Sequence, residues 1–301
     1  MPLLKTIADN LSNNDLQRGV VEEIIDRDDL FAFLPFQRTD GKAYVYNRES
    51  VVSEGVFLDP NDTIPEEASQ AEEITTRLRI IAGDVDVDKF LQGTESDTND
   101  QKAIQLAMKA KGMGRAFKRA LVQGDSSANA KSFDGIDKLV RDTGQRLEAG
   151  ANGMALSMDM LDELKDMVPN GVDAYVMRRG TYRALKQLLR AAGGNTAERF
   201  MIEDFGFSVP AFDGVPILIN DFIEGDVAQG TADDTCSIYA VRLNEVDGLH
   251  GIYGGESAGI IVEDLGTVQN KDATRTRLKA YWSVALKSTQ SLAALYGITN
   301  V

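Results

Sequence analysis

The most reactive-looking arrangement in this chain is Gly255-Glu256-Ser257-Ala258-Gly259, which fits the G-x-S-x-G turn that presents the nucleophile of serine hydrolases. Such a turn needs a strand before it, a helix after it, and a downstream histidine to take the hydroxyl proton. Here the following residues, GIIVEDLG, read as strand, and the only histidine, His250, lies upstream. A glycine-rich turn between strands is the better reading, with a serine hydrolase using Ser257 as a remote alternative. Gly112-Met113-Gly114 resembles a piece of a nucleotide-binding loop but falls inside a helical pattern with no strand before it. His250 has no His or Cys neighbours to complete a metal site and reads as a packing or loop residue. Acidic side chains alone can hold Mg²⁺ or Ca²⁺, but their spacing fits no EF-hand. Cys236 alternates with Ile238 and Ala240 and reads as a small buried apolar residue. No catalytic, cofactor or metal site is expected.

Charge is more informative. Residues 49–73 carry eight acids (Glu49, Glu54, Asp59, Asp62, Glu66, Glu67, Glu72, Glu73) and no base, while 101–124 carry six bases (Lys102, Lys109, Lys111, Arg115, Lys118, Arg119) and no acid. Opposite charges on two segments of one chain suggest that the partner is another copy of it, with a solvated face and a nucleic-acid contact as the other readings of the basic segment. The candidate contacts are Glu54, Asp59, Asp62, Glu66, Glu67, Glu72 and Glu73 on one side and Lys109, Lys111, Arg115, Lys118 and Arg119 on the other.

The 301 residues supply one large domain or two, and 43% apolar with 26% charged residues is ordinary for a globular protein. A net charge of −15 argues against a surface that grips nucleic acid throughout. One cysteine excludes an intrachain disulfide and suits a reducing cytosol. The N-terminus does not read as a signal peptide, and no apolar run is long enough to cross a membrane as a helix.

Leu16, Val20 and Ile24 mark an amphipathic helix over 13–34, stopped by Pro35. KAYVYNRE (42–49) and TRLRIIAGDVDVD (76–88) read as strands forming the arms of a long hairpin, with Leu78, Ile80 and Ala82, then Val85 and Val87, alternating. The acidic stretch between them holds Pro60 and Pro65 and reads as the tip. Its few large apolar residues leave the hairpin unable to bury itself, so it should project. A long helix over 99–123, capped by Asn99 or Asp100, carries Ile104, Ala107, Met108, Ala116, Phe117, Ala120 and Leu121 at helical spacing. Gly112 and Gly114 each cost that helix about 1 kcal/mol relative to Ala, so a bend or the close approach of another backbone should offset them. From 151 to 254 helices alternate with strands: a Ser157-capped helix, strands at 173–177, 214–221 and 236–241, and a helix from Thr181 to Ala192 ended by Gly193 and Gly194. In the strand 275–287, Leu278, Ala280, Trp282, Val284 and Leu286 share a core face. Arg275, Arg277, Lys279, Tyr281 and Lys287 share a basic one.

In order, these segments resemble the major capsid protein of tailed bacteriophages, the Hong Kong 97-type capsid fold. The pieces that carry the resemblance are AYVMRRGTYRALKQLL (174–189), FDGVPILINDFI (212–223) and RTRLKAYWSVALKSTQSLAALYGI (275–298). Relatives end the first of these strands in a VMNP style, where this chain has Arg178 and Arg179. The resemblance implies an α+β fold: an N-terminal arm (1–35), an E-loop hairpin (36–90), a peripheral domain (91–150 and 255–301) with a spine helix (99–123), and an axial domain (151–254). It implies a non-enzymatic shell protein whose copies form pentamers and hexamers of an icosahedral head. It further implies a separate scaffolding protein, a portal, packaged double-stranded DNA bound without sequence specificity, and room for a decoration protein. Assembly in the host cytoplasm and a place in the virion, away from membranes, follow. Lys42, the only lysine between 6 and 88, sits at the hairpin base, so no covalent weld from the tip is expected. An encapsulin-type nanocompartment is the alternative within the fold.

Overall fold

The computed structural model describes residues 29–53, 55–59, 62–64, 66, 68–94, 101–193, 199–202, 207–255 and 258–299. Leu16, Val20 and Ile24 of the expected first helix lie outside these residues, as do the expected cap at Asn99 or Asp100, Pro60 and Pro65 of the expected tip, and Gly194. The described chain begins with α1 (Leu30–Phe33), after which Leu34 turns extended at ψ 116° ahead of Pro35, the geometry a following proline favours.

β1 (Phe36–Thr39) leads into β2 (Ala43–Val51), β3 (Gln70–Arg77) and β4 (Arg79–Asp88), followed by α2 (Lys89–Thr94), the long α3 (Gln101–Gln123) and α4 (Ile136–Thr143). Next come β5 (Arg146–Glu148), α5 (Met158–Asp166), β6 (Ala174–Met177), α6 (Arg179–Ala191), β7 (Arg199–Ile202), β8 (Phe207–Phe212), β9 (Val215–Ile219), β10 (Val227–Gln229) and β11 (Ala232–Val241). β12 (Leu249–Gly254), β13 (Ile261–Thr267), β14 (Ala273–Leu286) and β15 (Leu292–Ile298) complete it. The result is a mixed α+β fold.

One sheet runs β1-β12-β14-β13 with β4 on the free side of β14; another runs β5-β15-β11-β6-β9-β8-β7 with β10 on β11; β2 and β3 form a ribbon of their own. The central strands of the larger sheet, β6, β9, β11 and β15, are buried on both faces. Ala174, Val176, Tyr239, Val241 and Ala294 point into one core with α3, α4 and the smaller sheet. Tyr175, Met177, Ile238, Ala240 and Leu295 point into a second core with α5 and α6. A strand buried twice reads as a continuous apolar run, which is why AYVM and SIYAV stand out in the sequence.

The Ser157 cap is formed, its hydroxyl accepting from Met160 N at 3.3 Å, and Leu161 and Leu164 are buried beneath the helix it opens. The core face of β14 is as expected, with Leu278, Ala280, Trp282, Val284 and Leu286 all buried. Phe117 of α3 is the hub of that core. It meets Trp282 edge to face at 4.8 Å between ring centroids and also packs against Phe31, Phe36 and Phe133.

Two expectations are corrected, and a third reading is resolved. The second hairpin arm is β3, not 76–88: Tyr44 pairs with Thr76 and Tyr46 with Ile74, while β4 leaves the ribbon at Leu78 and pairs with β14. Of the two alternations read over 76–88, Ile80 and Ala82 fall on the outward face of β4, and Val85 and Val87 on the inward one. Ile80 and Ala82 are exposed, whereas Ile81 packs on the core. Pairing with β14 sets this register, because Arg275 must stand opposite Asp86 and Arg277 opposite Asp84. Finally, α3 runs through Gly112 and Gly114 as one helix, and a Cβ added at either would meet nothing within 4 Å. The expected offset by a nearby backbone is not supplied within the described chain.

Candidate functional site: the hairpin and the long helix

The ribbon β2–β3 is anchored at its root. Tyr46 Oη donates to Leu286 O at 2.6 Å, and Arg48 donates from Nη2 to the same carbonyl at 2.8 Å and from Nε to Lys287 O at 2.8 Å. Tyr44 donates to Gln37 Oε1 at 3.0 Å and stands edge to face with His250 at 5.6 Å. These contacts leave the rest of the ribbon in solvent, with β3 exposed at most positions.

Beyond the root lies an apolar tip that the acidic composition conceals. Val52, Val56, Phe57, Leu58 and Ile64 are all exposed, Phe57 completely. The expectation of few large apolar residues at the tip is therefore corrected. Asp59, Asp62 and Glu66, interleaved with these residues in sequence, are exposed, and Asp59 N donates to Asp62 Oδ2 at 2.9 Å. Glu72 and Glu73 are exposed on β3 opposite Arg48 and Asn47. Glu54 and Glu67 lie outside the described residues. The signal that locates the tip is Val56-Phe57-Leu58 itself, three large apolar residues within an otherwise polar loop.

The bases of α3 do not form one bare stripe. Lys102 bonds Asp264 on β13 at 3.0 Å. Lys109 lays its chain across Gly83 of β4, where any side chain would collide with it. Arg115 lies 6.0 Å from the Phe222 ring centroid and Lys118 5.4 Å from that of Phe31. Lys111 and Arg119 are exposed. The outer face of the helix therefore reads Met108, Gly112, Arg115, Arg119, at spacings of four, three and four, opposite the buried Met113, Phe117 and Leu121. The structure does not join this face to the acidic tip within one chain, since the ribbon packs on β14.

The basic face of β14 is neutralised where it stands. Arg275 forks onto Asp86 at 2.6 and 2.7 Å, Arg277 onto Asp84 at 2.7 and 2.9 Å, and Lys279 pairs with Glu263. The guanidinium hydrogen bonds hold both aspartates below the usual carboxylate range.

A cavity of about 400 Å³ opens between α4, β5, β10, β11 and β15. At its wall Asp137 accepts from Tyr296 Oη at 2.8 Å and Tyr239 Oη at 3.1 Å through one oxygen, and from Arg141 through the other. Burial, reinforced by the nearby carboxylate, pushes both phenols above the ordinary tyrosine range. Arg146 pairs with Glu148 at 3.2 Å beside it, so these polar groups are satisfied by the protein. Sequence reading did not single out this cluster; the only hint is the i, i+4 spacing of Asp137 and Arg141.

Ser257 and Glu256 lie outside the described residues. β13 follows the turn where a nucleophile elbow would need a helix, and Trp282 Nε1 donates to Ala258 O at 2.7 Å, fixing the turn against the core. His250 is fully buried on β12, its Nδ1 3.4 Å from Gly248 O and its Nε2 without a partner among the described residues. Burial lowers its pKa. Cys236 is buried, as expected, which raises its thiol pKa. Among the described residues no His, Cys, Asp and Glu side chains cluster as a metal site, and no helix is long and apolar enough to cross a membrane.

No family profile and no curated protein matches the sequence. Solved structures do. The holo-SrpI encapsulin complex of Synechococcus elongatus PCC 7942 superposes with a TM-score of 0.75 at 20% identity, covering 100% of this chain and 98% of that one. The capsid of Myoviridae phage XM1 gives 0.69 at 12% identity over 98% and 99% of the chains. This chain has the Hong Kong 97-type capsid fold. The capsid of an empty GTA particle agrees, at a TM-score of 0.68 and 14% identity over 95% and 94%. Each of these matches spans at least 94% of both chains.

Proposed function

We propose that this protein is the major capsid protein of a tailed-phage head, self-assembling as pentamers and hexamers into an icosahedral shell around double-stranded DNA. The observation that carries the reading is the ribbon: rooted on β14 by Tyr46 and Arg48, it holds Phe57 and its apolar neighbours clear of the body. A monomer gains nothing from such a display, whereas a contact repeated around a closed ring buries it in every copy. In this reading the ribbon is the E-loop, α3 the spine helix of the peripheral domain, and the α5–α6 region the axial domain. Residues Asp59, Asp62, Glu66, Glu72 and Glu73 then face the bases of a neighbour, steering encounter more than supplying affinity.

A net charge of −15 suits a wall that must not adhere to the polyanion inside it. A separate scaffolding protein and a portal complete the assembly pathway in the host cytoplasm, and decoration of the outer surface belongs to the same reading. The shell is structural and catalyses no reaction.

A second reading, an encapsulin-type compartment, is favoured by the likeness to the SrpI complex, which exceeds in TM-score and identity those to the phage capsids compared with it. Electron microscopy of particles purified from the native source tests both. Shells filled with nuclease-protected double-stranded DNA support the phage head; shells holding protein and no genome support the compartment. A protein that forms neither rings nor shells at any salt concentration overturns both.

A further inference from the structure

The bases of α4 and β14 are all paired with acids close by. α6 differs. No acid occurs from 174 to 197, while Arg179, Arg183, Lys186 and Arg190 recur at spacings of four, three and four, which places them on one face of the helix. The opposite face, with Thr181, Ala184 and Leu185, is buried. Arg179 reaches Asp221 at 2.5 Å, whereas Arg183 and Arg190 are exposed with no acidic partner among the described residues. Lys186 holds its ammonium 4.6 Å from the Tyr182 ring centroid, a contact that fixes the charge without cancelling it.

We propose, resting on the phage-head reading, that this face of α6 is a seat for the sugar-phosphate backbone of double-stranded DNA, held without regard to sequence. Charge complementarity names the class of partner, and the make-up of the face narrows it. A protein docking there would need an apolar centre to bury, yet none of the exposed large apolar residues lies on α6. Among the cations stands polar Gln187, also exposed. Phosphate needs no apolar centre, because its neutralisation releases condensed counterions and that release drives binding. From Arg179 to Arg190 the helix rises about 17 Å, so the four bases form a rigid row along one axis. Three of them are arginines, whose planar fork matches phosphate oxygens. Contacts of this kind position a duplex and read no bases. A chain of net charge −15 can hold DNA only where acids have been cleared away. α5, packed on the same core, shows the contrast by exposing Asp159, Asp162, Glu163 and Asp166. DNA is therefore held at α6 and repelled beside it, meeting the wall at one repeated point in each copy.

The test uses the full chain and a short fluorescent DNA duplex of arbitrary sequence, with binding followed by anisotropy across a range of salt concentrations. For wild type the logarithm of affinity should fall against the logarithm of salt with a slope of about −3, at about −0.9 for each cation engaged. Arg183→Gln combined with Arg190→Gln should bring that slope to about −1 and cut affinity at low salt at least tenfold. Both side chains are exposed and unpaired, so the melting temperature should not move. Lys131→Gln combined with Lys271→Gln, the same loss of charge at exposed sites elsewhere, should leave the slope as in wild type. A wild type that does not bind the duplex at low salt, or a double arginine variant whose slope matches wild type, refutes the seat. If that variant binds DNA as wild type does but no longer forms rings or shells, α6 receives an acidic face of another copy and the inference is overturned. The duplex assay does not require assembly, so it fails separately from the reading beneath it. DNA-filled shells with a failed duplex assay remove only the α6 seat; shells without a genome remove the phage head and the packaged partner with it.

Discussion

The phenolic hydroxyl of Tyr46 donates a 2.6 Å hydrogen bond to the main-chain carbonyl of Leu286, so that the root of the ribbon is fastened to the last residue of β14. Arg48 shares that carbonyl, filling its second lone pair. Two side chains of β2 thus fix where an otherwise solvated element leaves the body.

Removing that fastening should free the ribbon without unfolding the protein. Tyr46→Phe is expected to cost about 1 kcal/mol, the net worth of one such bond. Amide exchange should rise about fivefold over 43–49 and 70–77 and stay unchanged in β11 and β15. A uniform rise across the chain would show that Tyr46 supports the global fold instead.

Phe117 joins α3 to β14 through Trp282 and is completely buried. Phe117→Ala should lower stability by about 3–5 kcal/mol, the range for large aromatic deletions in cores. Denaturant melts should show the midpoint falling with little change of slope.

His250 gives the neutral-to-acid dependence. Burial lowers its folded pKa below the ordinary 6.5, with Lys287 adding to the depression and Glu245 and the Gly248 carbonyl opposing it. The unfolded chain therefore binds the extra proton first. Stability conferred by the neutral ring is complete above about pH 6.5 and declines as pH falls towards the folded value. His250→Gln should flatten thermal stability between pH 7 and pH 5; an unchanged slope would assign it elsewhere. Asp84 and Asp86 act lower: their depressed pKa values contribute stability that is present above about pH 3.9 and lost below it.

Tyr239 and Tyr296 work in the opposite direction. Both phenols are raised, so the folded chain keeps their protons after the unfolded chain has lost them, and stability falls as pH climbs above 10. Asp137→Ala strips both hydroxyls and Arg141 of their common acceptor and should cost about 1–3 kcal/mol. Ultraviolet titration should then show two tyrosines ionising closer to pH 10 than in wild type.

Elements buried on both faces were the most legible in the sequence. AYVM, SIYAV and the alternation in β14 come from cores that leave little choice of residue, and the Ser157 cap follows from local chemistry. β4 was legible as a strand, but which of Ile80 and Ile81 faces the core was not, because the two are alike in sequence and only the pairing of Asp84 and Asp86 with arginines about 190 residues away decides between them. The hairpin was seen, its second arm misplaced: period two continues through Leu78, where the chain changes sheets without a turn signal. At the candidate site the charges were plain and the apolar tip was not, since eight acids in one segment masked Val56, Phe57 and Leu58. Main-chain anchors such as Leu286 O carry no side-chain signature at all.

A ribbon held only at its root is a lever. From Tyr46 to the end of β2 at Val51 the strand extends about 17 Å, so a rotation of about 10° at Tyr46 and Arg48 sweeps that end through about 3 Å. Rings of five and of six place neighbours at different angles. In the shell proposed above, one sequence satisfies both if the difference is absorbed at that pivot, leaving the two cores undeformed.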